Sequence, residues 1–321
     1  MAPWNKTTWL SSTLALSMCV LLICATVQIP TTWAQANGGE LRLVQIIDNE
    51  DLFTDDFFVG DQPRPLLSGV AFPPGANTLL MPSTQAGGVG SVVLLAPPSN
   101  ANGQVSRQAF VISDLINVAF DGSNEGAEGQ GLFRLFLFDN TTAQLTAFKA
   151  NAQNVFDPTT ATQFETQQFG ITDPQGMTFD ATADNGRLFI LDPAAGGIMQ
   201  IDAALGRDFD GATALQQGRI SQVILPAGLS DLRGIAFNPS TGQLFVFSPS
   251  AESLYAISLT GELTAIMSLP GFQTEDVQGV FIGPSLDLTD DPSIFHLYVA
   301  ASQGPNSGIT EWEFPDSVGT Q

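Results

Sequence analysis

Four aspartates stand at a fixed distance before apolar stretches of the chain. Each lies three residues ahead of a glycine or asparagine, in the segments Asp114-Leu-Ile-Asn117, Asp173-Pro-Gln-Gly176, Asp231-Leu-Arg-Gly234 and Asp276-Val-Gln-Gly279. Carboxylates that are drawn together raise one another's pKa unless a cation neutralises them, and Ca²⁺ accepts several such oxygen ligands. If the four segments converge, Asp114, Asp173, Asp231 and Asp276 are candidate ligands for calcium.

The same aspartates also have a purely structural interpretation. A short carboxylate readily accepts hydrogen bonds from nearby backbone N–H groups and thereby fixes a turn. Because the aspartate recurs with the repeat of the chain rather than once, this interpretation is favoured over a metal site. The sequence leaves both open.

A second polar set follows the aspartates and differs from one segment to the next. Such variation suits a binding surface, and we expect a ligand-binding face at Asn117, Gln175, Arg233 and Gln278. The guanidinium of Arg233 can pair with a carboxylate or phosphate of a ligand. It can equally neutralise the neighbouring aspartates.

Other catalytic patterns are weak. His296 is the only histidine, and it lies within the apolar run IFHLYVA, where a satisfied buried histidine is favoured over a catalytic one. The segment Asp208-Phe-Asp210-Gly211 resembles part of a calcium loop, but Ala212, Ala214 and Leu215 follow where further oxygen ligands are required. An acidic turn is the favoured interpretation of that segment.

The elements that must position these residues are short repeated strands. The apolar motifs Gly69-Val-Ala-Phe72, Asn117-Val-Ala-Phe120, Gly176-Met-Thr-Phe179, Gly234-Ile-Ala-Phe237 and Gly279-Val-Phe-Ile282 begin 48, 59, 58 and 45 residues apart. A second apolar strand follows each motif, and the clearest repeat, residues 230–270, contains four strands separated by turns. Intervals of this size predict an all-β fold, a β-propeller of four-stranded blades.

The spacing predicts five blades, and six if an insertion hides a degenerate one. The last repeat ends after its third strand, Gly308-Ile-Thr-Glu-Trp-Glu-Phe314, while Gly39-Glu40-Leu41 near the N-terminus matches Gly261-Glu262-Leu263 of the clearest repeat. We therefore expect the N-terminal strand to complete the last blade and close the ring. Two polar stretches, residues 151–169 and 203–218, are expected to project as loops.

The first 36 residues are typical of a secretory signal peptide. Lys6 is their only charged residue, an apolar run covers residues 10–27, and Ala34 and Ala36 form an A-x-A cleavage pattern. We expect cleavage after Ala36, or after Ala34, a single propeller domain over residues 37–321, and a secreted or periplasmic location. Both cysteines, Cys19 and Cys24, lie in the leader, so the mature chain has neither disulfides nor thiolate chemistry.

Composition restricts the partners of the protein. The chain has 321 residues, 44% hydrophobic and 13% charged, and 32 acidic against 10 basic residues give a formal net charge of −22. This balance repels nucleic acid and anionic membranes and favours cations or basic partners, although surface acidity also serves solubility alone.

The repeats resemble the NHL-repeat and gluconolactonase-like β-propellers, in which an Asp, two residues, a Gly and an apolar strand precede a turn and an L-F/Y-V-like strand. Gluconolactonase-like members hold a divalent metal with acidic and amide side chains near the channel, so the resemblance implies as an alternative a calcium-dependent hydrolase of lactonase or phosphoesterase type. This chain departs from them, since it has no Glu-Gly-Pro-x-Trp segment and Trp312 is the only tryptophan after the leader. The favoured hypothesis is a non-catalytic module that binds a protein or small molecule through one face.

Overall fold

A computed structural model describes most of the C-terminal half of the chain and shorter pieces of the rest. The described residues are 37–48, 66–67, 70, 79–85, 89–95, 106–110, 115–121, 134–139, 142, 144–150, 156–205, 208–272, 276–286, 290–291, 294–303 and 308–315. All of them belong to the unit Gln35–Gln321. The expected leader lies outside the described residues, and within them no helix has the length and apolar character needed to cross a membrane.

The described residues form 21 strands and two short helices. The first eleven strands are β1 (Asn37–Glu40), β2 (Arg42–Asp48), β3 (Leu66–Leu67), β4 (Leu79–Gln85), β5 (Val89–Leu95), β6 (Ser106–Phe110), β7 (Leu115–Asp121), β8 (Arg134–Asp139), β9 (Gln144–Ala150), β10 (Phe156–Phe164) and β11 (Gly176–Asp180). The others are β12 (Arg187–Asp192), β13 (Gly197–Asp202), β14 (Ile220–Ile224), β15 (Ile235–Asn238), β16 (Gln243–Ser248), β17 (Ser253–Ile257), β18 (Leu263–Ser268), β19 (Asp276–Pro284), β20 (Phe295–Gln303) and β21 (Gly308–Glu313). A 3₁₀ helix covers Gln167–Phe169, and the helix α1 covers Gly211–Gln216.

These strands form five sheets. Four sheets have four strands each, in the orders β3-β4-β5-β6, β7-β8-β9-β10, β11-β12-β13-β14 and β19-β20-β21-β2, and the fifth has five, in the order β15-β16-β17-β18-β1. The strands β7, β11, β15 and β19 contact one another in that order, while β4 contacts β7 and β3 contacts β20. The protein is therefore an all-β β-propeller built from four-stranded blades, as the repeats predict.

The continuous apolar runs of the second strands are explained by burial on both faces. In β16, Leu244 and Val246 pack into a core cluster shared with β12–β14, whereas Phe245 and Phe247 pack into a cluster shared with β19–β21. Successive side chains of a strand point to opposite faces, so each face of the blade needs its own apolar set. β16 is therefore apolar at every position between Gln243 and Ser248.

The N-terminal segment makes the strand pairing that the sequence predicts and a second pairing that the sequence does not predict. As expected, β2 runs antiparallel to β21 and forms the outermost strand of the last sheet, with Leu43 opposite Trp312. The preceding strand β1, however, pairs in parallel with β18 of the neighbouring sheet. The segment thus joins two sheets.

The two polar insertions do not project as loops, so that expectation is wrong. Within the first, residues 156–164 form β10, the outermost strand of its sheet. Within the second, Phe209 is fully buried, and its ring meets the rings of Phe136 and Phe164 edge-on at 5.3 and 6.0 Å. The Gly211 N–H donates to the Glu165 carbonyl at 3.1 Å. The buried Phe209 side chain and this hydrogen bond together hold the polar segment against the sheet.

Three expectations fall wholly or partly outside the described residues. The first apolar motif is described only at Val70, next to β3. Asp114 is not described. Asn117 and Gln278 lie in β7 and β19, but their side chains are outside the description.

Candidate binding face

Two equivalent loops enter the strands β11 and β15 at the same end of their sheets. They carry Asp173 and Gln175 in one loop and Asp231 and Arg233 in the other. At the same end lie the turns 193–196 and 249–252, which connect the second and third strands of these sheets. We call the four segments 171–175, 193–196, 230–233 and 249–252 the binding face.

Each of the two loops is followed by a glycine, Gly176 or Gly234, because the neighbouring strand comes too close to leave room for a side chain. Gly234 has φ +76°, and a Cβ there would lie 2.6 Å from the side chain of Val280 in β19. A Cβ on Gly176 would lie 2.9 Å from the Cα of Gly234, and the Gly234 N–H donates to the Gln175 carbonyl at 2.9 Å. Neighbouring inner strands therefore touch backbone to backbone where the Asp-x-x-Gly pattern ends.

Arg233 links the two loops. Its Nη1 donates to the Gln175 side-chain oxygen across the seam between the sheets, and its Nε lies 3.4 Å from Asp231 Oδ1. The Arg233 side chain is still 48% exposed. The structure thus brings together three of the predicted residues, Gln175, Arg233 and Asp231. Arg233 neutralises a neighbouring aspartate, as one of its two interpretations requires, while the guanidinium remains accessible.

Asp231 adopts a backbone conformation that is unfavourable for a residue with a side chain. Its φ is +49°, and the other described non-glycine residue with positive φ, Glu252, lies in the turn of the same sheet on the binding face. The Asp231 Oδ2 accepts from the Ser250 N–H at 3.1 Å, which ties the loop to that turn. A left-handed conformation of this kind costs of order 1 to 3 kcal/mol.

The described aspartates are used within their own sheets. Asp231 bonds Ser250 and Arg233, Asp276 accepts from the Ser302 hydroxyl, and Asp173 is exposed. Among the residues that the structure describes, no three histidine, cysteine or acidic side chains come together in a group that could hold a metal ion. The Asp231 contact with the Ser250 N–H is of the kind that the turn-fixing interpretation predicts, whereas the partner of Asp276 is a side-chain hydroxyl.

Sequence reasoning missed the residue that holds the first loop. Asp192, at the end of β12, is fully buried; its Oδ2 accepts from the N–H groups of Thr172 and Asp173, and its Oδ1 accepts from Ala195 N at 2.9 Å. At the same position of the next sheet, Ser248 donates to the Ser230 carbonyl at 2.9 Å. The available indication was a polar residue ending an otherwise apolar second strand.

His296 is buried near the start of β20. The binding face lies at the other end of this strand, where Gln303 pairs with Asp276. The Nδ1 of His296 lies 2.7 Å from Glu311 Oε1, and the hydroxyl of Tyr298 also donates to that oxygen, at 2.9 Å. The prediction of a satisfied buried histidine is confirmed.

Glu311 carries a shifted pKa. Burial raises its pKa, but hydrogen bonds from His296, Gln45, Tyr298 and the Leu286 N–H outweigh burial and hold the pKa below its ordinary value. Burial and the adjacent Glu311 raise the pKa of Tyr298. Glu311 is thus a buried anion with several donors.

The segment around Asp208 and Asp210 is an acidic turn, as favoured from sequence. Asp208 Oδ1 accepts from Asp210 N at 2.9 Å, and Asp210 Oδ1 accepts from Thr213 N at 2.8 Å and caps α1. The hydrogen bonds from Thr213 hold the pKa of Asp210 below its ordinary value. Both carboxylates have local structural partners.

No protein-family model matches the chain, and no curated protein matches it in sequence. Solved structures with a similar fold include a nidogen/laminin complex, at 12% identity over 78% of this chain and 81% of that chain with a TM-score of 0.45. A catalytically inactive virginiamycin B lyase from Staphylococcus aureus with quinupristin is 13% identical over 86% of this chain and 75% of that chain, with a TM-score of 0.40. A Bacteroides uniformis protein proposed to be a 6-phosphogluconolactonase is 13% identical over 80% of this chain and 74% of that chain, with a TM-score of 0.43. At these identities and TM-scores the likenesses carry no conclusion about function.

Proposed function

We propose that the protein is a secreted or periplasmic, acidic β-propeller that binds a protein or small-molecule ligand on the binding face without catalysis. In this proposal residues 1–36 are removed on export, and the ring has five blades, one for each of the five sheets. Asn117 and Gln278 are assigned to the same face from their positions in the sequence repeat alone.

The accessible guanidinium of Arg233 is the single observation that carries this proposal. Arginine has five N–H donors in a planar fork, and the contacts to Gln175 and Asp231 use Nη1 and Nε. Among the residues that the structure describes, Nη2 has no protein partner, and it is free to donate to a ligand carboxylate or phosphate. Because partners from two sheets already orient the guanidinium, a ligand loses little affinity in ordering it.

The overall charge influences approach to the face. A net charge of −22 attracts basic partners at long range, whereas contact with Arg233 selects an anionic group at short range. A ligand that carries both charges, such as a peptide with basic residues and one carboxylate, satisfies both conditions.

The test is binding to an array of defined carboxylates, phosphates and short peptides, followed by mass spectrometry of each bound probe. We expect Arg233→Gln and Gln175→Ala to weaken binding of the same probes about tenfold or more, and every probe to be recovered unchanged. Arg187→Gln is the matched control, because Arg187 lies at the opposite end of β12 and pairs with Asp202 at 2.6 Å.

Two outcomes would contradict the proposal. Conversion of a probe by the wild-type protein, lost in Arg233→Gln, would make the face a catalytic site. Binding that is lost in Arg187→Gln but retained in Arg233→Gln would place the ligand at the other end of the propeller.

A further inference from the structure

Residues 37–48, which we call the strap, bridge two sheets. The first part of the strap, β1, pairs with β18, and the second part, β2, pairs with β21. Between them Leu41 is 1% exposed and packs into the core cluster that contains Phe245 and Trp312, and its N–H donates to the Ser268 carbonyl at 2.9 Å. The strap therefore closes the seam between two sheets.

Apart from its pairing with β18 and β21, the strap is held by few buried side chains. Gly38 is buried so tightly that a Cβ there would lie 2.6 Å from the Ile266 carbonyl oxygen, and Leu41 enters the core. Most of β2 is exposed, including the large apolar residues Leu43, Val44 and Ile46. A segment with few buried side chains opens at a lower free energy than the core strands beside it.

β2 makes a partly buried polar contact through the hydrogen bond from Gln45 Nε2 to Glu311 Oε2, at 2.5 Å. Gln45, Glu311 and Tyr298 lie opposite one another across β2, β21 and β20. Three donors from the body of the propeller meet the other carboxylate oxygen: the His296 ring, the Tyr298 hydroxyl and the Leu286 N–H. Asp290 is a further acidic group that acts on Tyr298, and it also raises the pKa of that residue.

Gln45 is the strap's donor to Glu311 and bonds Oε2, whereas the three donors from the body of the propeller all bond Oε1. When the strap leaves, Oε1 keeps its partners from the body, whereas Oε2 exchanges its contact with Gln45 for water. The body of the propeller can thus stay folded around Glu311 while the strap is open.

We propose that the strap is a separately opening closure, which detaches from β18 and β21 while the rest of the propeller remains folded, and that the Gln45–Glu311 contact sets how often it opens. Opening uncovers the edges of β18 and β21 and the core around Leu41. These lie in the seam between the sheet that follows Arg233 and the sheet that begins with Asp276, so opening also loosens one side of the binding face.

The test is amide hydrogen exchange of the intact protein, comparing the strap with β16. In the wild type we expect the amides of β2 to exchange about tenfold faster than those of β16, because only local contacts must break. Gln45→Glu sets a second carboxylate against Glu311, and we expect about ten- to a hundredfold faster exchange of β2 at pH 7, with β16 unchanged. At pH 5 the excess should shrink, since two adjacent carboxylates can share one proton.

Ile46→Glu is the matched control. It adds the same charge to the same strand at a position that is 43% exposed and pairs with Thr310 rather than Glu311. The proposal is overturned if β2 and β16 exchange equally slowly in the wild type, or if Gln45→Glu accelerates both strands alike. It is also overturned if Ile46→Glu acts as strongly as Gln45→Glu.

Discussion

Gly234 and Val280 meet where two neighbouring inner strands come closest: a Cβ on Gly234 would lie 2.6 Å from a Val280 methyl carbon and 3.2 Å from the Val280 nitrogen. The backbone of Gly234 is also left-handed, with φ +76°. One residue thus meets two separate requirements for glycine, and the two can be separated by mutation.

Gly234→Ala should destabilise the fold by about 2 to 4 kcal/mol, from left-handed strain together with overpacking against Val280. Gly242→Ala is the control, because Gly242 has φ +67° but nothing within 4 Å of an added Cβ. Gly242→Ala should lower the free energy of unfolding only by the left-handed strain, about 1 kcal/mol. Urea unfolding measures both, and equal losses would show that the contact with Val280 contributes nothing.

Asp192→Ala should cost about 2 to 4 kcal/mol, because it leaves the N–H groups of Thr172, Asp173 and Ala195 without their buried acceptor. Asp173→Ala removes an exposed carboxylate from the same loop and should change the free energy of unfolding by less than about 0.5 kcal/mol. The measurement is the free energy of unfolding of both variants by chemical denaturation. It compares Asp173, which the sequence singled out, with Asp192, which holds the loop in the structure. A larger loss in Asp173→Ala would contradict this assignment.

The free energy of unfolding should fall in acid, in part because Glu311 becomes protonated. Its pKa in the folded protein lies below the ordinary value of 4.5, so its contribution is fully present above pH 4.5 and is lost as the pH falls through the lowered pKa. Glu311→Gln should lower the free energy of unfolding at pH 7 by about 1 to 3 kcal/mol and flatten its dependence on pH below 4.5. The measurement is urea unfolding between neutral and acidic pH.

Glu313→Gln provides the comparison for Glu311. Glu313 lies two residues away on β21, is partly exposed and pairs with Arg42, whose side chain is 72% exposed. An exposed pair contributes little, so this variant should keep the acid dependence of the wild type. If both variants flatten the dependence equally, the effect does not come from the buried network.

Calcium should leave the thermal midpoint unchanged between excess EDTA and millimolar Ca²⁺. The physical reason is that Asp231 already bonds Arg233 and Ser250, and Asp276 bonds Ser302. A native-state ligand at a hundredfold excess over its Kd adds about 2.7 kcal/mol, which shifts the midpoint by several degrees. A rise of that size, abolished in the Asp173→Ala/Asp231→Ala double variant, would revive the calcium-dependent hydrolase.

The sequence by itself determined the all-β propeller and the four-stranded repeat, because second strands such as β8, β12 and β16 are apolar between their ends and turn residues separate the strands. It also located the loops of the binding face, since the Asp-x-x-Gly pattern marks the point where inner strands touch. These features are local or periodic, and a single repeat suffices to recognise them.

Only the tertiary structure decided which partners the polar residues take. Arg233 meets Gln175 from another sheet, Asp192 rather than Asp173 holds its loop, Phe209 anchors a polar insertion, and Gln45 reaches Glu311 from the far end of the chain. Each contact joins different strands or loops, and its geometry depends on how the strands pair or how the sheets pack. Spacing along the chain does not encode that packing, because many arrangements of neighbouring strands share the same period.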